Sequence, residues 1–167
     1  MRRFYALGAA LLGLLTLLGA CGQEPDWQAT AFEVTVSETG KRYPATATFS
    51  PDLVQTSAGS LGTEYERRDG LTHSSLDEVT FGLHQKPWPL YSNAQVIRRT
   101  VGAAQVEEHR FARSHSTLLW NEPVPGLGLW KSCLVRIRSA EVSAADRADA
   151  ERVCASYEVE PAPAEES

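Results

Sequence analysis

The chain has 167 residues and a formal net charge of −5, and 43% of it is hydrophobic, a length that fits one domain. Binding duplex nucleic acid needs clustered cations that displace counterions from phosphates. The nearest candidates, Arg67-Arg68 and Arg98-Arg99, are isolated pairs in an acidic chain, which excludes a nucleic-acid partner.

The first element is Arg2-Arg3 followed by an apolar or small run from Phe4 to Ala20, rich in leucine between Leu11 and Leu18. A charged start and a greasy middle make an export signal. As a helix, Phe4 to Leu18 would reach roughly 22 Å, short of the ~30 Å hydrocarbon core of a bilayer, so a permanent span is the weaker reading. The run ends in Leu18-Gly19-Ala20-Cys21, which resembles the lipobox of bacterial lipoproteins. The resemblance covers about a tenth of the chain. It implies cleavage before Cys21, with 1–20 as signal peptide, and fatty chains such as palmitate attached at Cys21, the new amino terminus. The competing reading is an ordinary secretory signal with a chance cysteine beside its cut. Two or three acyl chains, at about 0.8 kcal/mol per buried methylene, would hold a domain on a membrane durably. Gly22 lacks the acidic mark that favours inner-membrane retention, so the resemblance implies the cell envelope, at the periplasmic face of the outer membrane if the host is diderm.

Residues 1–20 contain Arg2 and Arg3 and no acid, so the processed chain would carry −7. Three cysteines are an odd number for an exported protein. If Cys21 is consumed by lipid, Cys133 and Cys154 remain as a pair in an oxidising compartment, where a disulfide persists. The alternative is two separately buried thiols.

Residues 21–30 read as the lipidated terminus and a tether. Phe32, Val34 and Val36 alternate with polar neighbours, the period-two signature of a half-buried strand. A turn at 38–41 leads to Tyr43, Ala45, Ala47 and Phe49, a second strand that Pro44 places at an edge or starts irregularly. Residues 50–75 carry few apolar side chains and read as a long surface excursion. Val79, Phe81 and Leu83 restore alternation before Pro87-Trp88-Pro89 ends the ladder. Residues 94–101 and 106–111 suggest two strands joined near Gly102, although 106–113 also fits a helical turn or two. Residues 117–120 read as a strand, 121–126 as a loop and 127–139 as a strand with Cys133, Val135 and Ile137 on one face.

Ser143 and Asp146 form a helix-start pattern, and Ala150, Val153, Cys154 and Tyr157 fall on one helical stripe. An inward Cys133 on the last strand can then meet an inward Cys154 on a helix packed across the sheet. The tail 158–167, with two prolines and four glutamates, has too little apolar surface to fold. The expected architecture is α+β: mainly antiparallel β-sheet with one C-terminal helix packed on it, in a single domain spanning 31–157.

Chemical motifs are sparse. His73, His84, His109 and His115 are scattered, and a zinc site needs three or four ligands brought together; His109 and His115 with Glu107 and Glu108 are the nearest approach, and exposed histidines explain the same letters. There is no Gly-x-Ser-x-Gly elbow, and Ser114-His115-Ser116 is adjacency in sequence alone. Pro125-Gly126-Leu127-Gly128 reads as a turn, since it does not lead a strand into a helix as phosphate-cradling loops do. No metal, cofactor or catalytic residue is assigned. Residues 118–131, a tryptophan strand, a Pro/Gly loop and a second tryptophan strand, faintly resemble the late hairpin of LolA-like half-barrel proteins, whose curved sheets enclose lipid; core aromatics flanking a tight loop account for the same residues.

Three readings follow. The favoured one is a membrane-anchored, non-catalytic envelope module that binds a protein or wall component through an exposed apolar patch near Trp88 and Tyr91. A carrier of a hydrophobic ligand would show a cavity lined by residues such as Phe49, Phe81, Trp120 and Trp130. A small hydrolase would show a cleft with a convergent Asp, Glu, His and Ser set.

Overall fold

Alternation of apolar and polar side chains governs most of the chain, and the structure, a computed structural model, describes residues 26–59, 62–68, 76–90, 93–111 and 115–161. Among these, β1 (Gln28–Thr35), β2 (Arg42–Phe49) and the two-residue β10 (Glu158–Val159) form an antiparallel sheet in the order β1-β2-β10. A second antiparallel sheet has seven strands: β3 (Leu53–Gly59), β4 (Gly62–Arg67), β5 (Leu76–His84), β6 (Gln95–Val101), β7 (Ala104–Arg110), β8 (Ser116–Val124) and β9 (Leu129–Ile137). Their order is β3-β4-β5-β9-β8-β7-β6. Helix α1 (Ala144–Ala155) follows β9 and packs on β9, β8 and β2. The expected antiparallel sheet with a helix near the C-terminus is present, divided into two sheets.

The small sheet and α1 cover one face of the large sheet, and the core lies between them. Val34, Tyr43, Ala45, Ala47 and Phe49 point inward from β1 and β2, meeting Tyr65, Val79, Phe81, Leu83, Val135 and Ile137 of the large sheet. The Phe81 ring lies 5.0 Å from Phe32 and from Tyr157, 5.9 Å from Phe49 and 6.0 Å from Tyr65. Offset and edge contacts of this kind add about 0.5–1.5 kcal/mol per pair to area burial. A parallel bridge between Val36 and Leu83 joins the two sheets at one corner.

Local chemistry starts and stops the elements. Ser143 Oγ accepts from the Asp146 N–H at 3.0 Å and the Asp146 carboxylate accepts from the Ser143 N–H at 3.3 Å, a reciprocal cap at the start of α1. Ala150, Val153 and Cys154 are its buried stripe. Cys133 and Cys154 are joined by a disulfide with their Cα atoms 5.4 Å apart. Closing the 21-residue separation stabilises the fold by about 3 kcal/mol on the chain-entropy account. Gly62 has φ +140°, and a Cβ there would collide with the Phe81 carbonyl oxygen, so β4 can start against β5 only with glycine.

Several expectations are corrected. Residues 50–75 do not form one surface excursion, because β3 and β4 occupy 53–59 and 62–67, paired with each other and, through β4, with β5. Residues 121–126 are not a loop: β8 runs to Val124, and Pro123 sits in the ladder opposite Trp130. The tail does not loosen at 158, since β10 pairs with Thr46 and Ala45 of β2 and the Glu160 N–H donates to the Pro44 carbonyl. Pro44 therefore lies within the central strand of its sheet, where it donates nothing to the ladder but its carbonyl still accepts from the Glu160 N–H. β1 also begins at Gln28, inside the segment expected to be a tether, by pairing with Phe49. Residues 106–110 are strand rather than helical turn. Cys21 and the whole signal segment lie outside the described residues.

Candidate functional site

The outer face of the large sheet is crossed by one strap. β5 and β6 are separated in the sheet by β9, β8 and β7, so the chain between them must traverse the face that the small sheet leaves open. Pro87 and Pro89 keep this segment out of any ladder. Asn121 of β8 latches it: its Oδ1 accepts from the Trp88 N–H at 3.0 Å and its Nδ2 donates to the Trp88 carbonyl at 3.1 Å. Ser132 of β9, fully buried, donates its hydroxyl to the same Oδ1 at 2.6 Å. The half-buried Trp88 ring also packs on His84, 5.1 Å between centroids. Burial holds the His84 imidazole below its ordinary range, with Glu38 opposing. Its Nδ1 is 3.0 Å from Ser37 Oγ and its Nε2 is buried without a partner.

Pinned there, the strap walls a groove at the end of the sheet where three connections converge. One pocket, about 410 Å³, has Thr117, Leu134, Arg136 and Glu78 from the sheet face as its floor. Leu90 and Asn93 of the strap form one wall, and Phe111 and His115 form the other. A second pocket, about 580 Å³, lies beyond Asn93 and Phe111, which border both, and continues past Gln95 and Arg110 to Ala140 and Glu141. The Phe111 and His115 rings stack at 4.5 Å, and the Phe111 N–H donates to the His115 carbonyl at 3.2 Å. Arg136 pairs with Glu78 across the floor at 3.3 Å.

Arg110 links the groove to the helix. Its guanidinium and that of Arg147 on α1 converge on the buried Glu108 at 2.7 and 2.9 Å. Burial works against ionisation of Glu108, but the Arg147 and Arg110 hydrogen bonds outweigh it and hold the carboxyl below the usual range. Glu107, on the opposite face of the same strand, is also burdened by burial and is likewise held down, by Arg98 and His109.

The sequence candidates are dispersed. His84 sits under the strap, His109 pairs with Glu107 at 3.0 Å on β7, and His115 borders the groove, while His73 and Tyr91 lie outside the described residues. Among the described residues no three His, Cys, Asp or Glu side chains are grouped to hold a metal. Phe49, Phe81 and Trp120 are packed in the core, whereas Trp130 lies across the sheet from them, so the four do not line one cavity. The exposed large hydrophobics among the described residues are Ile97 and Val101, on the edge strand β6 rather than near Trp88. Asn93, Phe111 and Arg136 were not anticipated as a group; the outward alternation of Leu134 and Arg136 was readable, but not what would stand above them.

Comparison with protein-family models, curated proteins and solved structures gives no match.

Proposed function

We propose that this chain is a bacterial envelope lipoprotein, cut before Cys21 and anchored to the membrane by acyl chains on that residue, with a non-catalytic binding domain that uses the outer-face groove. The observation that carries the reading is Leu18-Gly19-Ala20-Cys21 at the end of an apolar run led by Arg2 and Arg3. Small residues beside the cut admit the backbone to a peptidase, and a thiol is the nucleophile that can become a thioether. The Cys133–Cys154 disulfide supports an oxidising compartment, because such bonds are rare where thiols are kept reduced. The groove supports binding as the task. It lies where connections meet on a rigid sheet, and it combines a few polar groups with apolar walls.

The test is metabolic labelling with a fatty acid in cells making the wild-type chain or Cys21→Ala. Label in the wild type and none in the variant is the expected result. Equal incorporation in both, or none in either, overturns the anchor.

A further inference from the structure

We propose that the groove binds a neutral oligosaccharide chain carrying N-acetyl groups, a proposal that rests on the binding role assigned to the groove above. The charge lining it is balanced: Arg110 and Arg136 are matched by Glu78 and Glu141. A strongly anionic or cationic ligand would therefore meet as much repulsion as attraction, and a neutral one meets neither. The floor also argues against an acyl chain, because the Arg136–Glu78 pair would be stripped of water beneath it. An extended peptide fits poorly for a different reason. Thr117, Leu134 and Arg136 belong to strands paired on both sides, so the floor offers side chains and no free ladder edge.

A sugar chain has no backbone ladder to satisfy and is gripped by side chains alone. The groove supplies planar groups suited to pairs of hydroxyls, namely guanidinium, carboxylate and the amides of Asn93 and Gln95. Phe111 borders both pockets and presents a ring whose electron-rich face attracts the polarised C–H groups of a pyranose. Leu90 and Leu134 give apolar contact for the acetamido methyl. Two neighbouring pockets that share Asn93 and Phe111 as borders suit a chain of several sugars rather than a single one.

The test is calorimetric titration of the full chain, purified in detergent, with the tetramer of β-1,4-linked N-acetylglucosamine. Expected is saturable binding with Kd below about 1 mM, weakened roughly tenfold by Phe111→Ala and by Asn93→Ala. Gln55→Ala, on the exposed far edge of the sheet, should leave it unchanged. Asn93 is exposed, so its variant keeps the test informative if Phe111→Ala fails to fold. The deacetylated tetramer, which is cationic, should bind at least about tenfold more weakly. Retention on isolated wall sacculi, in a parallel arm, would identify the wall as the source of the glycan, and retention on none would point to a free oligosaccharide. No saturable heat with the acetylated tetramer, or wild-type affinity in both groove variants, overturns the proposal. A chain that takes fatty-acid label at Cys21 and binds no sugar would overturn the ligand and leave the anchored module standing.

Discussion

Glu108 shows how one side chain ties the helix to the sheet. It is 2% exposed and accepts from both Arg110 and Arg147, so the strand and α1 share its charge. Removing the charge by Glu108→Gln leaves two guanidinium groups without their anion, yet each arginine keeps about a third of its side chain in water. The expected loss at pH 7 is therefore about 2 kcal/mol, below the 3–5 typical of fully buried pairs. Because the folded-state carboxyl is held below the ordinary value, its contribution is present above the unfolded value of about 4.3 and fades as pH falls through the folded one. Denaturant unfolding of wild type and variant should thus differ at pH 7 and converge under acid. A gap that persists undiminished at pH 2 would assign the loss to packing instead.

At the scale of elements, legibility followed apolar content. β1, β2, β5 and β9 bury alternate large side chains, and their letters show it. β3 buries only Leu53, and residues 55–59 are exposed, so an edge strand held by backbone pairing to β4 reads as loop. β4 alternates Thr63 and Tyr65 against Glu64 and Glu66, but a single aromatic is too little periodicity to separate it from a turn-rich stretch. Pro123 and the two-residue β10 were misread for the same reason: backbone partners supplied by other segments hold them in place. The cap of α1 and its stripe as far as Cys154 were local and were read correctly, as was the inward Cys133 that meets Cys154, whereas Tyr157, expected on the same stripe, is buried just beyond the C-cap. The groove was not legible, because its walls come from Leu90 and Asn93, from Phe111 and His115, and from Ala140 and Glu141, and are aligned by a latch at Asn121, which sequence alone placed in a loop. Asn121→Ala should leave the Trp88 N–H and the Ser132 hydroxyl without their acceptor, a cost of about 2 kcal/mol. Hydrogen exchange offers the sharper readout. The Trp88 amide should lose protection while amides of β1 and β2 keep theirs, and an unchanged Trp88 amide would show that the latch does not hold the strap.

The described residues make up two sheets and a helix, none of which has a core of its own. The three-stranded sheet has one buried face, and its inward residues are packed on strands of the other sheet. α1 buries Ala150, Val153 and Cys154, too little to stand alone, and depends on the same core and on the bond to Cys133. Phe81 sits at the junction, fully buried, with ring contacts to β1 through Phe32, β2 through Phe49, β4 through Tyr65 and the residue after the C-cap of α1, Tyr157. Tyr157 in turn donates to the Gly82 carbonyl and offers its own carbonyl to Lys131, so the end of the domain is tied to β5 and β9. If these contacts make one cooperative unit, Phe81→Ala should cost about 3–5 kcal/mol through lost burial and the cavity left behind. The melting temperature should fall by roughly 10 °C in a single transition, seen together by far- and near-ultraviolet circular dichroism. Two separated transitions in the variant, with strand signal surviving the first, would mean that the seven-stranded sheet, stapled to α1 and latched by its strap, can stand after the smaller sheet has left it.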